Sequence, residues 1–328
     1  MNNFQYTRVN TAGAAIAELT KDPAAKLVAG GTNLIDLMKY GVMAPVKLVD
    51  INRLELDTIR KDSGSLYIGA TVRNAVAAEN ADVLKYQPLL SQAMLKGASA
   101  QLRNKATMGG NLLQRTRCGY FYDVSAPCNK REPGTGCSAI GGHNRMHAIF
   151  GGTPSCIAVN PSDMNVALRA LDAVILVTGP KGDRKIAIED FHRLPGKNPE
   201  LDTTLDKREI ITGIMIPDNN LAAHTTYLKV RDRTSYAFAL ISVAVAMELD
   251  GNIIKDIRLA MGGVAHKPWR LTEAEAMLKG KEATVANFRA AAVLSMQGAK
   301  GYGHNDFKLK LAPNTMVQAL KTASGIKA

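Results

Sequence analysis

The chain has four cysteines, and all of them fall in one segment. Cys118, Cys128 and Cys137 lie in CGYFYDVSAPCNKREPGTGC, and Cys156 follows. Four thiolates can hold a tetrahedral zinc ion or a cubane iron–sulfur cluster; pairs can close disulfides; or the thiols can stand free. The spacing is C-x9-C-x8-C-x18-C. Structural zinc usually shows paired C-x2-4-C knuckles, which are missing here. Isolated cysteines on a long loop suit a cluster better, because each must reach a separate corner. The spacing is not that of a ferredoxin, so the pattern alone leaves all four chemistries open. Disulfides are the reading that length weakens: 328 residues with 46% apolar content can build a core without staples. His143 and His147 lie in the same segment and could replace a ligand, although four cysteines suffice. Arg115, Arg117, Lys130, Arg131 and Arg145 also belong to it. Cations beside an anionic cluster stabilise its reduced form, unless surface acids or a partner subunit take them up.

Two glycine turns offer a second chemistry. AGGTNL (29–34) stands between an apolar strand and residues at helical spacing, and ATMGGNLLQRT (106–116) carries another Gly-Gly flanked by Thr107 and Asn111. Glycine lets backbone approach a ligand closely, and forward-pointing amides at a helix start favour phosphate. Neither turn is a Walker A loop or a G-x-G-x-x-G fingerprint, so a plain tight turn competes with a dinucleotide site, and Rossmann-type NAD binding is disfavoured.

The elements that must position these residues follow from periodicity. KLVAGGTNLIDLMK reads as strand, turn and helix; SLYIGATVRNAVAAE as a strand and then a helix capped by Thr71; residues 80–103 as mainly helical. This alternation predicts α/β layers in the first half. Residues 115–159 lack periodicity, and a loop of that length is usually functional or disordered. SDMNVALRALDA predicts a helix, AVILVTGPKGDRKIAIEDF a hairpin and REIITGIMIP a strand. SVAVAMELDGNIIKDIRLAMGG is a hairpin turning at Asp250-Gly251, followed by helices that TEAEAMLKG and TVANFRAAAVLSM begin, which predicts an antiparallel sheet with helices on one face. The predicted division is residues 1–222 (subdomains of about 1–55 and 56–222, with the cysteine insert at 115–159) and residues 223–328.

Net charge is +12. With 5% aromatics, no long basic run and no zinc-finger or RNA-binding motif, nucleic-acid binding is not expected. The N-terminus reads as no signal peptide, and the longest apolar run, YAFALISVAVAM, is too short to cross a bilayer, so no membrane insertion is expected.

KLVAGGTNLIDLMK, ATMGGNLLQ, PSDMNVALRALDA, YLKVRDRTSYAFALISVAVAM and MGGVAHKPWR occur in this order. Together they resemble the FAD-binding subunits of the molybdenum hydroxylases, the xanthine dehydrogenase and aldehyde oxidase family. The resemblance covers almost the whole chain. It implies an α+β protein: a two-subdomain FAD domain of the vanillyl-alcohol-oxidase type and a C-terminal α+β domain like that of carbon monoxide dehydrogenase flavoproteins. It implies that Lys26, Leu27, Val28, Ala29, Gly30, Gly31, Thr32, Asn33 and Leu34 wrap the FAD pyrophosphate, with Thr107, Gly109, Gly110 and Asn111 as the second loop. Asp163, Ile211 and Lys229 match further cofactor contacts; their plain alternatives are a helix cap, a core residue and a solvated cation.

The chain departs from the common family pattern where about forty residues separate the second glycine loop from PSDM. That departure is similar to a smaller branch, the FAD subunits of bacterial three-subunit aldehyde oxidoreductases, which carry an extra 4Fe–4S cluster. For this chain the resemblance implies Cys118, Cys128, Cys137 and Cys156 as cluster ligands. It implies as partners a large molybdenum-cofactor subunit and a small subunit with 2Fe–2S clusters, and an external electron acceptor. No catalytic residue is expected in this chain. The cluster reads as a brace rather than a relay, since the family's usual route reaches FAD without it. Periplasmic location by co-export with a signal-bearing partner is implied, with the cytoplasm as the alternative. Two other functions stay in play: a stand-alone FAD oxidoreductase with its own substrate pocket, and a nucleic-acid protein with a structural iron–sulfur cluster.

Overall fold

The computed structural model describes residues 1–326. Three sheets follow one another along the chain. The first is parallel, in the order β1-β3-β2, from β1 (Gln5–Arg8), β2 (Lys26–Val28) and β3 (Lys47–Asp50). Parallel neighbours need crossovers, and the helix Ala12–Lys21 supplies one. Thr11 starts that helix by accepting from the Ala14 amide at 3.2 Å. Its buried Ala15 and Leu19 pack on Val9, Val49 and Ile51.

The second sheet contains β4 (Ile59–Asp62), β5 (Ser65–Gly69), β6 (Val174–Gly179), β7 (Gly182–Ala187) and β8 (Ile210–Pro217), in the order β4-β5-β8-β6-β7. Every pair in it is antiparallel. The α/β layering predicted for the first half therefore holds in the first sheet only. Tight turns at Gly64 (φ 82°) and Gly182 (φ 93°) fold β4–β5 and β6–β7 into hairpins, which need no crossover helix.

Thr71 does not cap a helix. The helix Asn74–Glu79 begins after Arg73, and the Thr71 hydroxyl is buried without a partner. Residues 72–73 run extended because the second glycine loop pairs with this stretch: the Met108 amide donates to the Val72 carbonyl and the Asn74 amide to the Ala106 carbonyl, both at 2.9 Å, and Arg73 bridges to Thr107.

The third sheet is antiparallel, in the order β12-β11-β10-β9, from β9 (His224–Val230), β10 (Ile241–Asp250), β11 (Ile253–Gly262) and β12 (Trp269–Arg270). All of Ile241–Met247 is buried. Val243, Val245 and Met247 face the core made with helices Val285–Leu294 and Lys308–Ser324. Ala244 and Ala246 alternate to the other face and join the core of the second sheet. The sheet thus carries its own helices on one face, and the helices Pro88–Lys96 and Asp163–Ala170 cover the other. Between the second glycine loop and Asp163, residues 115–159 hold one short helix, Gly119–Tyr122, among turns.

Candidate flavin cleft and cysteine pocket

β2 ends in Gly30 and Gly31, the latter at φ +71°, and the helix Leu34–Lys39 follows. A Cβ on Gly30 would stand 1.9 Å from the Lys105 carbonyl oxygen, so the two glycine loops meet backbone to backbone there. Thr107 caps the helix Met108–Leu112 by accepting from the Gly110 amide at 3.2 Å. Around this contact lies a cleft of about 300 Å³. All nine residues from Lys26 to Leu34 line it, with Thr107, Gly110, Leu113, Arg115 and Lys207. Burial, then the nearby Lys207 and Arg115, hold the Lys26 ammonium below the ordinary lysine value. Asp206 and Glu209 also line the cleft and Arg115 is paired with Asp202, so Lys26 and Lys207 with the paired glycine turns form the donor set suited to a pyrophosphate.

Two predicted residues of the second loop point elsewhere. Gly109 lets the helix pack on Ala70, whose Cβ would lie 3.2 Å from an added methyl. Asn111 donates to Asn74 Oδ1 at 3.1 Å, while its own Oδ1 accepts from Gln114 Nε2 at 2.5 Å and Ser162 Oγ at 2.7 Å.

Two further cavities adjoin the cleft and make up a trough with it. A narrower pocket shares Leu113 and Thr203 with the cleft, and shares Thr116, Val159, Asn160 and Pro161 with another cavity of about 110 Å³. That cavity reaches Asp163, Phe238, Ser242 and Gly263, at the seam with the third sheet. Asp163 follows the N-cap Ser162 and is 9% exposed. Its Oδ2 accepts from Lys229 Nζ at 2.7 Å and its Oδ1 from the Tyr227 hydroxyl at 2.7 Å; Ser242 Oγ lies 2.9 Å from that hydroxyl. Burial and the Asp163 charge push the Tyr227 phenol well above its ordinary range, so it stays a donor. Lys229 is thus neither solvated nor free: its ammonium is held by Asp163 and by the Lys96 carbonyl at 3.1 Å. Ile211, on β8 opposite Val177, is buried in the second core and does not line these cavities.

Beside this trough the four cysteines come together. Cys118, Cys128, Cys137 and Cys156 all line one pocket, and none is in a disulfide. Cys128 and Cys137 pair as an isolated β-bridge, and Cys156 pairs likewise with Thr153. Interaction between the Cys137 and Cys156 thiols holds Cys137 below the ordinary thiol value and, with burial, pushes Cys156 up. Burial pushes Cys118 up to about 11. Among the described residues no three His, Cys, Asp or Glu side chains stand close enough to hold one metal ion. A tetrahedral zinc needs all four sulfurs within bonding distance of a single point, whereas a cubane binds each thiolate on a different iron. The four cysteines that line one pocket supply the thiol donors that either site would draw on. The pocket's wall is shared with the trough: Thr116, Cys118 and His147 line both.

The basic residues of the insert are largely neutralised by partners. Arg115 and Lys130 pair with Asp202 at 2.7 and 2.5 Å, Arg117 with Asp36 at 2.9 Å and Arg145 with Asp232 at 2.8 Å. Arg131 donates to the carbonyls of Tyr120, Phe121, Val124 and Ala126. Of these five, Lys130 alone lines the cysteine pocket. His147 touches it, with Nε2 3.1 Å from Cys118 Sγ; His143 instead stacks beside His304 at the surface. One neighbour escapes sequence reasoning altogether. His266, just past β11, places Nε2 3.3 Å from Cys156 Sγ. Its only signal is the MGGVAHKPWR motif, which says nothing about a contact 110 residues away.

This architecture is matched over nearly its full length. Residues 2–219 match the FAD binding domain in molybdopterin dehydrogenase, and residues 226–323 the CO dehydrogenase flavoprotein C-terminal domain. The chain belongs to the FAD-binding subunits of the molybdenum hydroxylase family. It is 48% identical over 326 residues to the aldehyde oxidoreductase FAD-binding subunit PaoB of Escherichia coli K12, covering 98% of this chain and 99% of that one. It is 31% identical over 280 residues to the glyceraldehyde dehydrogenase medium chain of Sulfolobus acidocaldarius, 85% and 82% of the two chains. The carbon monoxide dehydrogenase of Hydrogenophaga pseudoflava that lacks the Mo-pyranopterin moiety superposes with a TM-score of 0.78 at 26% identity, covering 100% of this chain and 99% of that one.

Proposed function

We propose that this chain is the FAD- and 4Fe–4S-binding electron-transfer subunit of a molybdenum-containing aldehyde oxidoreductase. In this reading Lys26–Leu34, Thr107 and Gly110 hold the FAD diphosphate, and the flavin extends along the trough toward Asp163. Asn111, hydrogen-bonded to Asn74, Gln114 and Ser162, and Gly109, packed on Ala70, shape the second loop. Ile211 supports the flavin end from the core rather than from the cavity wall. Bound FAD takes electrons from 2Fe–2S clusters of a small partner subunit and passes them to an external acceptor, after oxidation of substrate at molybdenum on a large subunit. No base or nucleophile is needed in this chain; its contribution is to bind, orient and tune. The division of the chain falls at residue 222, between the two matched segments. The assembly is a heterotrimer, and the chain reaches the periplasm with a signal-bearing partner. No described helix is long and apolar enough to cross a membrane.

The observation that carries this reading is the wall common to the cysteine pocket and the trough. Thr116, Cys118 and His147 face both, so a cluster on the four cysteines lies against the flavin site and holds the insert there as a brace. The test is purification of the complex from its host with flavin, iron and molybdenum measured on each subunit. Cys128→Ser is expected to lose the cluster iron and loosen FAD. Wild-type protein with flavin but no iron, or full aldehyde turnover by this chain alone, would refute the proposal.

A further inference from the structure

We infer that His147 and His266 are N–H donors to the sulfurs of Cys118 and Cys156, so that two imidazoles, one from the cysteine insert and one from just past β11, set the cluster's reduction potential. The inference rests on the cluster reading above. The two contacts are 3.1 and 3.3 Å, within range for a nitrogen–sulfur hydrogen bond, and both rings are buried, 5% and 8% exposed. In each ring Nδ1 is buried without a partner. A cluster-bound thiolate carries no proton and only accepts, so the ring proton must sit on Nε2. The bare Nδ1 is then an unpaired acceptor, a cheaper vacancy than an orphaned N–H. Because Arg115, Arg117, Lys130 and Arg145 are tied to carboxylates, the imidazole N–H dipoles on the first and last ligands add to the backbone amides of Tyr120, Phe121 and Ala158 in stabilising the extra electron of the reduced cluster.

Two measurements on the assembled enzyme test this. With histidine labelled with nitrogen-15, pulsed EPR of the reduced wild-type cluster should show weak coupling to imidazole nitrogen. Redox titration followed by EPR should find the midpoint potential moved negative in His266→Leu and in His147→Leu at full iron content, with partial return in His266→Gln, whose amide can still donate. An intact cluster without histidine coupling, or leucine variants with full iron and unmoved potentials, would overturn the inference and leave the cluster assignment standing. If a leucine variant loses its iron, the wild-type coupling decides. A wild-type chain without any iron–sulfur signal removes the cluster reading and this inference together.

Discussion

Asp163 and Lys229 show how much one residue's role depends on its partner. Each side chain is nearly closed to water, 8% and 2% exposed, and the two neutralise one another across the seam between the helix Asp163–Ala170 and β9. Removing one partner of a buried pair leaves an uncompensated charge and costs about 3–5 kcal/mol. Lys229→Met is therefore expected to lower the thermal midpoint clearly and to weaken flavin retention. Asp163→Asn with Lys229→Met should recover part of the loss, since no lone charge remains buried. A double variant no better than the single would show that the pair does not act as a unit. The sequence marks both residues through motifs, but not their mutual contact, because β9 and the helix meet only through tertiary packing. Lys229 could equally be read as a surface cation until its neighbours are known.

Among elements, the contact between the two glycine loops is the most exacting. Gly30 cannot carry a side chain without displacing the Lys105 carbonyl, and backbone cannot yield as a flexible side chain can. Gly30→Ala is expected to push the loops apart and cost the chain most of its bound FAD, measured as the flavin-to-protein ratio after gel filtration. Gly64→Ala, at a turn open to solvent, should keep its flavin and lose only modest stability through its positive φ. Equal flavin in both variants would refute the tight contact. Strand–turn–helix at residues 26–39 was legible because β2 is apolar, two glycines break it and helical spacing follows. Thr71 misled because a hydroxyl before a helical run is a good cap signal, and nothing local reveals that residues 72–74 are claimed by the loop at 106–108. The antiparallel order of the second sheet was hidden for a similar reason: β5 and β8 are far apart in sequence, and only their pairing defines the sheet.

Over the whole molecule, the C-terminal third closes the cysteine insert. Asn305 Nδ2 donates to the Ala148 carbonyl at 3.0 Å, Asn144 Nδ2 donates to the Tyr302 carbonyl at 2.7 Å, and Lys308 Nζ donates to the carbonyls of His147 and Gly263 at 2.9 and 2.8 Å. Lys308 is fully buried, and no carboxylate pairs with it among the described residues. Burial, with nearby Arg145 adding to it, lowers its ammonium to about 7 from 10.5. Between those values the unfolded chain holds a proton that the folded chain has released, so stability should rise with pH across that window. The rise is at most about 5 kcal/mol, and below pH 7 the penalty is fully present. Thermal unfolding from pH 6.5 to 10 should show this rise in the wild type and a flatter profile in Lys308→Met; parallel profiles would sink the assignment. None of this could be read locally, since a lysine opening an amphipathic helix ordinarily points to water.

The His147–Lys308 contact spans 161 positions along the chain, and His266–Cys156 spans 110. Synthesis runs from the N-terminus, so the four cysteines leave the ribosome long before the residues that seal their pocket. A nascent chain thus presents its thiols before the last helix ties down the backbone at His147 beside them. On the cluster reading proposed above, iron would have its freest access to the thiols before the C-terminal third folds against the insert, so loading during synthesis would exceed loading of the folded chain.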